Sequence, residues 1–344
     1  MTTRKIKKTI VRCLLACTCV LLLGSVAALT TQAKTTKHKV KKAPQYFSIT
    51  NTYDAGNETF ITNVYEMNFK TKKMKLVGSV PYTSQYPLAT YVKRENKIYY
   101  SACAKDGRGD ELFVKDLKTG VSKQLTHKFF AINYIIDMGK QLFIGAVTRG
   151  DDDIIHPFFY SKKTKKLKDI QVTKDFFVSC ANRNPLTNEL YVAGYLNADD
   201  RWSFEHQTKD ADMLGIKHFI YKFTGKKFKK LYTQGNCYYK SMTVSDKGLL
   251  FKWRRTYSAK KAHMSELSLN KKKNLCNDFS FPQSELNNMP HDGLIYADKK
   301  NIYYIRYSEK SDRDQFCQYD RKKKKVKVLY TAPKLSAINN AQIY

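Results

Sequence analysis

The sequence predicts an all-β fold, a six-bladed β-propeller of four-stranded blades, from three observations. Residues 111–126 alternate apolar and polar side chains on both sides of a turn at Gly120, as two antiparallel strands do. Apolar pairs recur along the chain at intervals close to the length of a four-stranded blade with its loops. The first unit has room for only three strands, which indicates that its fourth comes from elsewhere in the chain.

The repeat is marked by the second strand of each unit. The marker pairs are Ile98-Tyr99, Leu142-Phe143, Leu190-Tyr191, Leu249-Leu250 and Ile302-Tyr303, in steps of 44, 48, 59 and 53 residues. The C-terminal segment 337–340 resembles the opening of the third unit at 131–134. We therefore expect the C-terminal strand to complete the first blade and close the ring, which would leave no free sheet edge. The predicted blades are 46–80 with 335–344, 85–127, 128–173, 174–235, 236–283 and 288–332.

The hairpin at Leu112–Gly120, followed by Leu125-Thr126, resembles the repeat of TolB-like propellers. In that repeat an apolar residue, an aromatic residue and Val lead to Asp-Leu and then to Thr-Gly. Tyr221–Gly225 matches it weakly, and other units have Lys or Asn in place of the Gly. The resemblance covers residues 46–344 at the level of the fold. It implies a propeller and, commonly, contact with a protein or glycan, and it implies no catalytic residue.

Residues 1–33 have the layout of a secretory signal peptide. Basic residues up to Arg12 precede an apolar run, Cys13–Leu29, and a small-residue ending at Ala33. An uncleaved N-terminal anchor is the alternative, since the run approaches the length of the shortest bilayer spans. Residues 34–45 are polar and charged and are predicted to be a basic flexible linker. We therefore expect a protein that is secreted or at the cell surface, with a membrane-anchored form as the alternative.

The chain is strongly basic, with 62 Lys and Arg against 30 Asp and Glu. The first 33 residues hold five of the basic residues and none of the acidic ones, so the other 57 basic residues leave a charge of +27. Such a charge implies an anionic neighbour, either cell-wall polymer or a lipid surface, or else a solubility role. The export signal argues against nucleic acid as the partner.

The predicted strand order sorts the connections into two faces. Turns between first and second and between third and fourth strands share one side, the turn face, and all other connections share the loop face. A basic rim on the turn face is formed by Lys72, Lys73, Lys162, Lys163, Lys226, Lys227, Lys322, Lys323 and Lys324. We expect this rim to bind anionic polymer or lipid. The alternative is that the lysines only keep the turns solvated and protect sheet edges.

Aromatic and histidine side chains are predicted around the channel mouth on the loop face. They are Tyr86, Phe130, Phe177, Tyr239 and His291, joined by Trp202 and His206 in the longest loop, 197–217. Such a collar suits a sugar or a peptide, because rings give contact area and polar tips give orientation. The alternative is that the rings pack between blades as part of the core.

No catalytic residue, cofactor or metal site is predicted. Five cysteines lie beyond residue 33, without zinc spacing, and we expect them to be small buried side chains. Three histidines recur before third strands, but the spacing of strands keeps such positions too far apart for one metal ion.

These features together favour an exported, non-enzymatic binding or scaffold propeller. It would contact a protein, peptide or glycan of the cell envelope through its loop face. A glycan-active lyase or hydrolase with its site at the channel mouth is one alternative, and a membrane-anchored extracellular sensor is another.

Overall fold

The computed structural model describes residues 43–57, 59–150, 154–209, 211–269 and 274–344. The predicted signal peptide and most of the predicted linker therefore lie outside the described residues. The first sheet contains β1 (Tyr46–Asp54), β2 (Phe60–Asn68), β3 (Met74–Pro81) and β23 (Ser336–Ile343). The second contains β4 (Ala89–Val92), a 3-10 turn (Lys93–Glu95), β5 (Lys97–Cys103), β6 (Asp110–Asp116) and β7 (Ser122–Gln124). The third contains β8 (Phe129–Asp137), β9 (Gln141–Thr148), β10 (His156–Ser161) and β11 (Leu167–Asp169).

The remaining strands form one seven-stranded sheet and one four-stranded sheet. The former contains β12 (Phe176–Arg183), β13 (Leu190–Leu196), β14 (Ile216–Phe223), β15 (Phe228–Val244), β16 (Gly248–Arg254), β17 (Ala262–Leu269) and β18 (Asn274–Asp278). The latter contains β19 (Leu294–Ala297), β20 (Asn301–Ser308), β21 (Arg313–Asp320) and β22 (Lys325–Thr331). Helix α1 (Asn197–Glu205) connects β13 to β14, and α2 (Gln283–Asn288) connects β18 to β19. Within the described residues, no helix has the length and apolar character needed to cross a bilayer.

Neighbouring strands pair antiparallel, so the predicted all-β class with four-stranded antiparallel sheets is confirmed. The five marker pairs lie in β5, β9, β13, β16 and β20, each the second strand of a four-strand set. Strand β23 pairs with β1, from Phe47 opposite Ile343 to Tyr53 opposite Ser336.

Strand β15 explains why one sheet has seven strands. Its first half pairs with β14 and its second half with β16. Between the halves Asn236 has a φ of 53°, in the left-handed region that Asn tolerates better than most residues. The blade boundary predicted between residues 235 and 236 therefore falls inside a continuous strand.

Four turns between third and fourth strands share one hydrogen-bonded geometry. In the hairpin of β6 and β7, the Gly120 N–H donates to the Asp116 carbonyl (2.8 Å), and Gly120 has a φ of 74°. Lysine occupies the same left-handed position at Lys72, Lys165 and Lys324, with φ of 59°, 60° and 54°. The turn is thus kept where the sequence departs from the Gly of the repeat, at the cost of a less favourable backbone conformation.

The sheets surround a central cavity. Side chains from β8, β12, β15, β19 and β23, with Leu88 just before β4, line a space of about 100 Å³. These strands are the first of their four-strand sets, so we call them the inner strands. The apolar core lies between neighbouring sheets, where aromatic and branched side chains are buried.

Candidate functional site on the loop face

Exposed aromatic side chains gather at one end of the sheets. The aromatic residues that are at least 41% exposed, among those described, are Phe60, Tyr86, Phe130, Trp202, Phe204, Tyr257 and Tyr307. Each lies near the beginning of a first or third strand, near the end of a second strand, or in a connection between second and third strands. All seven are therefore on the loop face. Exposed apolar groups that collect on one face indicate an interaction surface.

Three of the predicted ligand-binding residues line one groove. Tyr86, Phe130 and Phe177 border a space of about 620 Å³, together with the polar side chains of Gln85 and Asn133. A second groove of about 520 Å³ shares Gln85 and Phe130 with the first and extends toward the loop between β5 and β6. Apolar walls with a few amide groups suit a peptide or a sugar. The binding role of these residues stays a prediction.

Buried hydrogen bonds hold the rim of the groove. The Thr83 hydroxyl donates to the Asp110 carboxylate at 2.6 Å, and both side chains are buried. The Ser101 hydroxyl donates to the carbonyl of Tyr86. Asp110 belongs to an Arg-Gly-Asp triplet, and its burial shows that this aspartate serves the loop rather than a partner. The Tyr86 backbone is consequently fixed by the second sheet.

The ion pair between Glu111 and Arg149 fixes the position of Phe130 through a hydrogen bond to its neighbour, Phe129. The buried Glu111 carboxylate accepts a hydrogen bond from the Phe129 N–H (2.9 Å) and lies 3.0 Å from a guanidinium nitrogen of Arg149. Burial raises the pKa of Glu111, while its hydrogen bonds and Arg149 oppose that rise. Arg149 also pairs with Asp106 at 2.7 Å. The strand that carries Phe130 is thus tied to the β5–β6 loop.

Two glycines allow the groove segments to approach each other. Gly109 has a φ of 140°, and a Cβ there would lie 2.6 Å from the Phe130 carbonyl oxygen. A Cβ at Gly194 would lie 1.8 Å from the Phe177 carbonyl oxygen. Any other residue at either position would push a groove aromatic away.

Phe177 is supported by an aromatic stack, and Tyr239 is not part of the surface. The Phe177 and Tyr195 rings are 4.9 Å apart and nearly parallel, and Tyr195 contacts the buried His218. Tyr239 packs against His218 and is only 2% exposed. The prediction that Tyr239 binds ligand is wrong, because it lies inside the continuous strand β15 rather than in a connecting loop.

The other predicted residues do not join the groove. Trp202 and His206 stack on each other at 4.6 Å at the end of α1, and both are exposed. His291 is exposed and pairs with Asp292, a residue that lines the central cavity. These three positions are on the loop face, as the strand order predicts, but they form separate sites.

Two members of the predicted basic rim are not free to bind anions. Lys72 folds over the rings of Phe69 and Tyr303, 4.3 and 4.6 Å from their centroids, and burial lowers its pKa to about 8. Lys162 pairs with Glu95 at 2.7 Å and Asp137 at 2.6 Å. The side chains of these two lysines return to their own protein surface, so the anion-binding rim that stays a prediction is carried by its exposed members. The exposed members are Lys73, Lys163, Lys226, Lys227, Lys322, Lys323 and Lys324.

The central cavity offers hydrogen-bond acceptors. The amide oxygens of Asn133, Asn339 and Asn340 are buried without a hydrogen-bond partner, and all three residues line the cavity. The Tyr134 hydroxyl lies 2.8 Å from the Asp292 carboxylate, and burial beside that carboxylate raises the pKa of Tyr134. Over the described ranges, no three His, Cys, Asp or Glu side chains cluster as metal ligands. The five cysteines beyond residue 33 form no disulfide, and three of them are buried.

A basic cluster at the loop face was not predicted from the sequence. Lys240 on β15 and Lys252 and Arg254 on β16 occupy paired strands, and Lys252 is only 1% exposed. Burial, Arg254 and Lys240 lower the pKa of Lys252 to about 7. The signal was present, because Lys252 continues the buried side of β16 two residues after Leu250.

The buried Lys252 makes stability depend on pH. Its pKa is about 7 in the folded state and 10.5 in the unfolded state, so the unfolded chain binds more protons between these values. We expect the free energy of unfolding to rise from pH 7 to 9, by at most about 1.4 kcal/mol per pH unit from this group. Urea unfolding in phosphate-free buffer should show a smaller rise for Lys252→Met. Equal slopes for both proteins would contradict the assignment.

Comparison with known proteins bears on the fold. No protein-family model matches the sequence, and no curated protein gives a significant match. TolB from Acinetobacter baumannii matches with a TM-score of 0.53 and 14% identity over 87% of this chain and 66% of TolB, so part of TolB lies outside the match. A chain of a nidogen/laminin complex matches with a TM-score of 0.50 and 11% identity over 87% of this chain and 98% of that chain. The protein is thus similar in fold to TolB-like β-propellers.

Proposed function

We propose that the protein is an exported, non-enzymatic binding propeller that holds a protein or peptide partner on its loop face. The observation that carries this proposal is the confinement of the seven exposed aromatic residues to that face, where two of them border a groove of about 620 Å³. The nidogen/laminin neighbour is a complex of proteins, which favours a protein over a glycan as partner. The basic N-terminal pattern supports export.

The proposed frame is a ring of six four-stranded blades. Strand β23 completes the first blade through its pairing with β1, and β15 is shared by the fourth and fifth blades. Such a ring leaves the connections as the variable part of the surface, and binding residues are concentrated on loops held by a rigid frame. The hydrogen bonds behind Tyr86 and Phe130 give the groove a fixed shape before any partner arrives.

Binding should depend on the groove aromatics. Peptides selected from a displayed library against the protein are expected to bind at least about tenfold more weakly to Tyr86→Ala and Phe130→Ala. Aromatic side chains that become buried when the partner binds dominate the binding energy of such interfaces. Titration calorimetry with the selected peptides measures the change. The matched control is Tyr307→Ala, which removes a comparably exposed ring from the loop face at the end of β20.

Two results would contradict this proposal. Equal losses in all three variants would show that the groove has no special role. Selection of no peptide, with groove-dependent binding on a glycan array run in parallel, would assign the site to sugars instead.

The exposed part of the basic rim is proposed to keep the protein near an anionic envelope. Reversal of Lys322, Lys323 and Lys324 to Glu is expected to weaken binding to phosphatidylglycerol vesicles by at least about tenfold at low salt. Vesicle sedimentation checks this result. The control reverses the same number of exposed charges on the loop face, at Arg255, Lys260 and Lys261. A larger loss in the control would place the contact on the other face.

A further inference from the structure

Three cationic side chains meet where β15 and β16 reach the loop face. Lys252 and Arg254 are two residues apart on β16, where they lie opposite Ser241 and Tyr238 of β15. Lys240 lies on β15 between these two partners, at the register shift of the pairing. Lys252 is buried, and Lys240 and Arg254 are half-buried. Arg254 and Lys240 are close enough to Lys252 to lower its pKa, and Arg254 is close enough to Lys240 to do the same there. The cluster therefore concentrates positive charge away from water.

Within the part of the chain that the structure describes, no carboxylate forms an ion pair with this cluster. Among the described residues, none of the three cations has an Asp or Glu oxygen within 4.0 Å, although ion pairs of that length occur elsewhere in the fold. Two described acids that act on Lys240, Asp212 and Asp200, already accept hydrogen bonds from other groups. Asp212 accepts hydrogen bonds from Thr256 and Ser258, and Asp200 from the Tyr238 hydroxyl. Both carboxylates raise the pKa of Lys240 only through longer-range electrostatic attraction.

The donors of the cluster are only partly used. The Lys252 ammonium donates to the Met289 carbonyl, which leaves its other hydrogens available. The Arg254 Nε is buried and has no hydrogen-bond partner. The Lys240 ammonium lies 3.5 Å from the Tyr257 ring centroid, and Tyr257 is 50% exposed. Buried charge without a counter-charge is strongly unfavourable, so such an arrangement is retained where an anion completes it.

We propose that Lys240, Lys252 and Arg254 form a binding site for an oxyanion at the loop-face end of β15 and β16. The group bound is a carboxylate or a phosphate, because a guanidinium fork matches two oxygens of one group and ammonium ions add point charges beside it. Lys252 forms the floor, and the half-buried Lys240 and Arg254 meet the entering anion first. The bound oxyanion is either a free ion or an acidic group that belongs to a partner molecule. The inference does not depend on the partner proposed for the groove.

The test measures how oxyanions change the thermal midpoint of unfolding of the full chain at pH 6.5. Potassium phosphate and potassium acetate are compared with potassium chloride at equal ionic strength. Both oxyanions should raise the midpoint of the wild type by several degrees over chloride, since a ligand that binds only the folded state stabilises it. The larger effect at equal concentration identifies which group the site prefers. The variants are Lys252→Met and Arg254→Gln, with Lys323→Met on the turn face as the matched control.

In Lys252→Met and Arg254→Gln the oxyanion shift should fall to the chloride value, while Lys323→Met should keep it. A merely structural lysine would not change this difference, since replacing a buried cation by an apolar residue can leave stability intact. If Lys252→Met does not fold, Arg254→Gln and Lys240→Met decide the question. Oxyanion shifts that persist in these variants, or that are absent from the wild type, would overturn the proposal. Neither result would alter peptide binding to the groove, which is measured separately.

Discussion

Deletion of Ser336–Tyr344 is expected to abolish cooperative folding. The deletion removes β23 and leaves the inner edge of β1 with a row of unpaired N–H and C=O groups. It also removes the buried side chains of Ile338, Ala341 and Ile343. Losing a whole strand costs more than the roughly 5–15 kcal/mol that stabilises a typical domain. Far-UV and near-UV circular dichroism during urea unfolding would detect the loss as a flattened transition.

Contacts made by β23 with other sheets add to the expected loss. The Ile338 N–H donates to the Asp314 carboxylate at 2.9 Å, and the Arg183 guanidinium donates to the Ile343 carbonyl at 2.8 Å. A synthetic peptide of residues 336–344, added to the truncated chain, should restore part of the transition by refilling the gap. A truncated chain that unfolds at the full-length urea midpoint would disprove the proposed closure by β23.

The strand pattern was readable from the sequence because it depends on local alternation and on a repeat. Each marker pair lies in a second strand, since a strand that is buried on both sides needs a run of apolar residues. The continuity of β15 was not readable. Gly235-Asn236 has the composition of a turn, yet pairing with β14 and β16 on its two sides keeps the chain extended. Because β15 continues through this segment, Tyr239 lies in the core and not at the surface where it was predicted.

The candidate site was only partly predictable for a different reason. Strand order assigns Tyr86 and Phe130 to the loop face, but lysine side chains are long enough to return to the protein, and only the three-dimensional contacts show which ones do. Lys72 reaches two aromatic rings and Lys162 reaches two acids. The alternation of β16 could have identified Lys252 as a charged residue on a buried side. Its proximity to Lys240 and Arg254 could not be predicted, because paired strands bring these residues together and no linear spacing reveals it.

Asp137→Ala is expected to lower the free energy of unfolding by about 3–5 kcal/mol, the usual effect of breaking a buried ion pair. The Asp137 side chain is fully buried at the end of β8. It lies 2.6 Å from the Lys162 ammonium and 2.7 Å from the Arg94 guanidinium, which belongs to the neighbouring sheet. Its removal would leave the mostly buried Lys162 with Glu95 as its remaining acidic partner.

The expected loss of stability comes mainly from the Lys162 charge that remains without Asp137, rather than from the lost ion pair itself. The double variant Asp137→Ala with Lys162→Met should therefore be more stable than Asp137→Ala alone, although it has lost both partners. Asp116→Ala is the control, because that carboxylate makes only hydrogen bonds to turn N–H groups, and its loss should cost about 1 kcal/mol. Urea unfolding of the four proteins gives the comparison. If the double variant were the least stable, the uncompensated charge of Lys162 would not be the cause, and the lost contacts between the two sheets would be.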